Sequence, residues 1–283
     1  MRVLVVLLAL LALGAACAAV AAARPRGFRA DMMARFAKAM PGATLTADPD
    51  QPLTILFTRA DGTEGAFNLD TLVGYCRTAS AADCAASKAD FVMKMSRPHP
   101  DPTPASLRLV VRDRDYMDFI DAYAAKFPEK GDIAKYRPIG DDLYAVLAAD
   151  SEDTVAVVGD LALKKLGLSA DRAWALAEAQ TRAILPPLPK PAALRKAAVS
   201  YPEQHYLASL LIDLPAWEKL AARVGPTLFM TVVADHIVFV GQVPDGPALE
   251  DLKQAVVDDC AAQERCISPH LYRFRDGRWV IAK

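Results

Sequence analysis

The sequence predicts an α+β fold: hairpins and helices mixed along the chain, in two subdomains divided by a proline-rich connector. Two Asp-Gly pairs, Asp61-Gly62 and Asp276-Gly277, each sit between β-branched or aromatic runs, the pattern of antiparallel hairpins. Apolar residues at helical spacing recur elsewhere, as in Phe28, Met32, Met33, Phe36 and Met40. The strict β-α alternation that a doubly wound parallel sheet requires is missing.

Residues 1–23 read as an address. Met1 and Arg2 precede twenty-one residues without a charge, ending Ala21-Ala22-Ala23 before Arg24. A basic start, an apolar run and small closing residues make a secretory signal, cleaved after Ala23. Two alternatives stay open. Cys17 follows Leu13-Gly14-Ala15-Ala16, which resembles a bacterial lipoprotein signal, although the large aliphatic residue stands four rather than three positions ahead. An uncleaved anchor is long enough, since about 1.5 Å per residue gives roughly 30 Å. Arg24, Arg26, Arg29 and Arg35 behind it would then hold the body on the cytoplasmic side.

Without that leader four cysteines remain, Cys76, Cys84, Cys260 and Cys266, in two close pairs. In an oxidising compartment such pairs read as disulfides; the alternative is four buried thiols. Zinc is disfavoured because no Cys-x-x-Cys spacing occurs. A continuous helix would hold Cys76 and Cys84 about 12 Å apart, beyond disulfide reach. Ser80-Ala81-Ala82-Asp83 supplies the bend as a capping box, ending one helix near Thr78 and starting the next at Ala81.

The remaining elements follow in order. Residues 28–40 form an amphipathic helix ended by Pro41, with Arg29, Arg35 and Lys38 on its polar face. Packing on a core is the leading reading of that helix, and lying on an anionic membrane the other. Strands at 53–59 and 64–69 flank Asp61-Gly62, and the stapled helix pair runs to about Met95. Pro98, Pro100, Pro102 and Pro104 make an extended connector. Residues 107–111 and 143–149 are strands, and 116–127, 159–166 and 169–184 are helices. Pro186, Pro187, Pro189 and Pro191 mark the boundary, giving an N-terminal domain at 24–185, a linker at 186–199 and a C-terminal domain at 200–283. Beyond it, 206–212, 227–234 and 237–241 are strands, 215–224 and 248–264 are helices, and a hairpin closes the chain.

Five stretches stand in order along the chain: Phe67-Asn68-Leu69-Asp70-Thr71-Leu72; Tyr144-Ala145-Val146-Leu147; Gly167-Leu168-Ser169 with Ala173-Trp174-Ala175-Leu176-Ala177; Tyr206-Leu207-Ala208-Ser209-Leu210-Leu211; and Ser268-Pro269-His270-Leu271-Tyr272-Arg273-Phe274-Arg275-Asp276-Gly277-Arg278-Trp279. Together they resemble the bacterial domain-of-unknown-function 1444 family. The resemblance implies a shared fold and adds nothing to the chemistry, and the leader and cysteines depart from that family's pattern.

No Gly-x-Ser-x-Gly, Ser-x-x-Lys, His-Glu-x-x-His, Walker or dinucleotide motif is present. Both charge signs are interspersed with a formal net charge of -1, so no basic stripe supports nucleic-acid binding. His99 lies between prolines, His205 precedes an apolar run, His236 follows Asp235 at a turn, and His270 opens the last hairpin. A Ser-His-Asp site through His236 lacks nucleophile context. Asp113-Arg114-Asp115 could hold a metal but reads better as a helix start capped by Asp115, with Asp118 following in the helix. Asp258-Asp259 reads as a solvated helix face. Tyr272, Phe274 and Trp279 with Arg273, Arg275 and Arg278 read as a hairpin with a buried aromatic face and a wet basic face; glycan or peptide binding is the alternative. The expectation is an exported envelope protein without catalytic, metal or cofactor residues, binding or assembling with an envelope partner. It touches the membrane only through its signal or a lipid anchor. The alternative is an envelope hydrolase with a dispersed site.

Overall fold

A computed structural model describes residues 25–97, 100–128, 131–151, 154–202, 204–263 and 265–283. The signal segment 1–23, Cys17 and His99 lie outside the described residues. The class is α+β, with three antiparallel sheets among the described residues. Two compact units divide the chain between Pro98 and His99.

The first unit opens with α1 (Pro25–Ala39), then β1 (Thr44–Ala47), β2 (Thr54–Thr58) and β3 (Glu64–Asn68) in that sheet order, then α2 (Asp70–Thr78) and α3 (Ala81–Ser96). The apolar stripe of α1 is core: Phe28, Met32, Phe36 and Met40 are buried with Ile55, Phe67, Leu72 and Val92. Phe67 stacks on Phe36 at 4.0 Å and on Phe57 at 4.4 Å between ring centroids. The polar face of α1 is tied inward as well, since Arg29 donates to the carbonyls of Asp48 and Gln51. At the hairpin tip Gly62 takes φ 83° and the Asp61 carboxylate accepts from the Thr63 amide at 2.8 Å. Arg59 reaches the end of α3 and donates to the carbonyls of Met95, Ser96 and Arg97, groups the helix cannot satisfy itself. Ser80 accepts from the Asp83 amide at 3.2 Å, and across that bend Cys76 and Cys84 form a disulfide with Cα atoms 4.9 Å apart.

The second unit runs β4 (Leu107–Asp113), α4 (Arg114–Ala124), β5 (Tyr136–Pro138), β6 (Leu143–Asp150), β7 (Val155–Val157), α5 (Asp160–Leu166), α6 (Ala170–Ile184) and the single turn α7 (Pro191–Leu194). It continues with β8 (Val199–Ser200), the 3-10 segment Leu207–Ile212, α8 (Leu214–Val224), β9 (Leu228–Ala234), β10 (Ile237–Gln242), α9 (Pro247–Ala261), β11 (Leu271–Arg275) and β12 (Arg278–Ile281). One sheet has the order β4-β6-β5, with β7 also on β6; the other has β12-β11-β9-β10-β8.

The expected boundary at 186–199 falls inside this unit. Leu109, Leu147 and Ala177 before it share one core with Leu211, Met230 and Trp279 after it. The prolines run along that shared core, with Leu185 and Leu188 packed on it. A bridge joins the sheets: Gly140 lies beside Trp279, whose amide donates to Ile139 and whose carbonyl accepts from Asp141.

The apolar stretch 206–212 is not a strand. Tyr206 is left-handed at φ 69° and Leu207–Ile212 coils as a 3-10 segment. Its five residues 207–211 are buried, and partners for its polar groups come from elsewhere. The Trp217 indole donates to the Leu210 carbonyl at 2.6 Å and the Trp279 indole to Leu211 at 3.0 Å. At the segment's start Asp235 accepts from the amides of Tyr206 and Ala208, so the Asp235-His236 turn is an anchor for it. Cys260 and Cys266 form the second disulfide, with Cα atoms 5.2 Å apart, at the end of α9. Asp258 and Asp259 on α9 are exposed.

The outer edge of β4 is sealed by side chains rather than by a strand. The Leu109 amide donates to Thr181 Oγ1 at 2.8 Å, and Ser209 Oγ donates to the Leu109 carbonyl at 2.7 Å. Arg108 and Arg112 donate to the carbonyls of Leu107 and Val111 at 2.8 and 2.7 Å.

Candidate functional site

A cavity of about 650 Å³ opens beside that sealed edge, within the size range of small-molecule sites. Its floor is Leu109, Thr181, Ser209, Leu210 and Leu220, all buried. One wall is the run from Leu185 to Pro191, whose prolines hold an extended backbone that offers few donors. Another wall is α8, which lines the cavity from Ala216 to Arg223. The hydroxyls of Thr181 and Ser209 are engaged with Leu109, so the floor presents an apolar surface.

The rim is charged and uneven. Glu178 and Asp213 are its acids, and both face Arg182, at 2.8 and 3.3 Å. Asp213 also caps α8 by accepting from the Ala216 amide. Lys190, Lys219 and Arg223 are exposed on the same rim, and none of the three makes an ion pair among the described residues. The site can therefore hold an apolar body and place an anionic group at its mouth. It carries no nucleophile beside a base.

A second constellation gathers polar residues from the terminal hairpin. Tyr272 Oη donates to Asp142 Oδ1 at 2.9 Å and shares a 2.5 Å hydrogen bond with Ser268 Oγ. His270 Nε2 lies 3.7 Å from Asp142 Oδ2, and its amide donates to Ser268 Oγ. Burial, with the Asp142 charge beside it, pushes the Tyr272 hydroxyl up from its ordinary range. This is not a catalytic relay. The His270 imidazole faces Asp142 rather than Ser268, and Ser268 and Tyr272 are fully buried. The network instead fastens the loop before β6 to β11.

The other candidates disperse once placed. Asp113, not Asp115, caps α4: its Oδ1 accepts from the Tyr116 amide at 2.9 Å, and Asp115 falls in the first turn. Among the described residues no group of three or more His, Cys, Asp or Glu could hold a metal ion. On the last hairpin Tyr272 and Trp279 are buried, as expected of an aromatic core face. Arg273 is not wet: it is 3% exposed and donates to the carbonyls of Thr227 and Val243 and to Asp245. The cavity was hidden in sequence because its walls come from segments far apart. The one available signal was Pro186-Pro187-Leu188-Pro189-Lys190-Pro191, read as a linker.

Among the described residues no helix is long and apolar enough to cross a membrane. No protein-family model, curated protein or solved structure matches the chain.

Proposed function

We propose that this chain is an exported, disulfide-stapled protein of the bacterial envelope that works by binding rather than by catalysis, with the cavity beside β4 as its binding site. The cavity carries the reading: about 650 Å³ of largely apolar space that the fold does not fill with its own side chains. Two disulfides support an oxidising compartment, periplasmic or secreted, and the apolar leader before Arg24 supports export. Lipidation at Cys17 would make the same protein membrane-anchored. Kinship with the domain-of-unknown-function 1444 family is proposed on the five stretches quoted above.

Full-length protein expressed in a Gram-negative host, alkylated with and without reduction, tests the location by intact mass. The expected product starts at Arg24, or at a lipidated Cys17, and accepts alkylation at Cys76, Cys84, Cys260 and Cys266 only after reduction. A product retaining Met1 and free thiols overturns it. Nile red, a neutral apolar dye, tests the cavity: its fluorescence should rise with the native protein and not with Ala216→Trp. Equal responses from both proteins overturn the cavity as the binding site.

A further inference from the structure

We infer that the cavity takes a single-chain amphiphile with an acidic headgroup, its acyl chain on the apolar floor and its headgroup against the Lys219–Arg223 rim. This rests on the binding reading above and names its ligand class.

The apolar half of the argument comes from hydrogen bonding. A peptide or sugar laid on the floor would bury donors and acceptors, each at a desolvation cost unless it found a partner. The partners a peptide would use there, the outward amide and carbonyl of Leu109, are already bonded to Thr181 and Ser209. Prolines in the facing wall remove further donors. A methylene chain needs no partners and gains affinity with each CH₂ it buries.

The charged half comes from α8. Lys219 and Arg223 stand four residues apart on one face of that helix, where like charges repel. Lys190 adds a third cation from the other wall. Among the described residues the rim acids are Glu178 and Asp213, and both already face Arg182. A chain of formal net charge -1 thus concentrates unpaired positive charge at the mouth of its apolar cavity. A carboxylate or phosphate there relieves the repulsion, while an ammonium increases it.

Displacement of Nile red from the mature protein tests this, with each competitor kept below its micelle concentration. The competitors are dodecanoate, dodecanol, dodecylammonium, decanoate and lauroyl-lysophosphatidylglycerol. Dodecanoate should compete about fivefold better than dodecanol, the worth of two exposed charge pairs, and dodecylammonium worst. Decanoate, shorter by two methylenes, should compete about tenfold less well than dodecanoate. Lys219→Glu combined with Arg223→Glu, both exposed positions, should reverse the order of dodecanoate and dodecylammonium while leaving thermal unfolding in place. Stronger competition by the lysolipid would identify a phospholipid as the source of the ligand, and stronger competition by dodecanoate a free fatty acid; both support the inference. Dodecanol equal to dodecanoate would overturn the acidic headgroup and leave the cavity reading standing. Equal competition by decanoate and dodecanoate would overturn the buried chain. Failure of Nile red itself to bind would overturn the ligand class and the cavity reading together.

Discussion

Asp113 illustrates how much a single side chain does here. It ends β4 and caps α4 at once, and burial, with the charges of Asp115 and Asp142 nearby, raises its pKa above the ordinary 3.8. A carboxyl with a raised folded pKa favours the folded state while it keeps its proton. That contribution is lost as pH climbs from about the ordinary value through the folded one, so ionisation of Asp113 weakens the fold at neutral pH. Asp113→Asn keeps an oxygen that can cap the Tyr116 amide and removes the charge. The urea midpoint of this variant should lie above that of the wild type at neutral pH, and the two should converge in acid. A constant gap at all pH values would rule out this account. Residue-level features split in how readable they were. The capping serine at 80 and the Asp61-Gly62 tip were legible because their partners lie within three residues. The burial of Arg273 was not, because its carbonyl partners at Thr227 and Val243 are 46 and 30 positions away.

At the level of elements, helices and hairpins emerge where the sequence expected them, within a few residues at each end. The exception is Leu207–Ile212, where an unbroken apolar run carries no period to separate a strand from a buried coil. The short strands β1, β5, β7 and β8 also escaped, being two to four residues long and mostly exposed. The α2–α3 pair shows what a staple adds to such elements. On the chain-entropy estimate, closing the eight-residue separation of Cys76 and Cys84 contributes about 2–3 kcal/mol. Cys76→Ser combined with Cys84→Ser should therefore lower the unfolding free energy of the unit that contains them by about that amount. A reductant should cause the same loss in the wild type and no further loss of that component in the variant. Coincident urea curves for wild type and variant would show that packing of Phe36, Phe67 and Val92 suffices alone.

On the scale of the molecule, the α+β class was legible and the division of the chain was not. Proline density marked residues 186–199 as a linker, yet side chains from the sheets on either side of it pack into one core, and the units part at Pro98 instead. Composition reports local stiffness; it says nothing of which distant strands share a core. The join between the second unit's two sheets is narrow and testable. A Cβ at Gly140 would stand 2.6 Å from the Trp279 carbonyl oxygen and 2.9 Å from its Cβ. Gly140→Ala should cost about 1–3 kcal/mol and alter the near-ultraviolet signal of the packed Trp217–Trp279 pair, whose rings lie 4.8 Å apart. An unchanged spectrum and midpoint would mean that the bridge gives way freely. The sealed edge of β4 carries a separate consequence. Leu-Arg-Leu-Val-Val is a short, strongly β-forming stretch of the kind that recruits copies of itself once its edge is bare. Its cover consists of Thr181 from α6, Ser209 from the 3-10 segment and the strand's own Arg108 and Arg112 rather than a neighbouring strand, so partial opening of α6 would bare the Leu109 amide, part of a template for fibre growth, before the unit has unfolded. Whatever fills the adjoining cavity would then also act as a guard against self-association, making ligand occupancy a determinant of shelf life in concentrated solution.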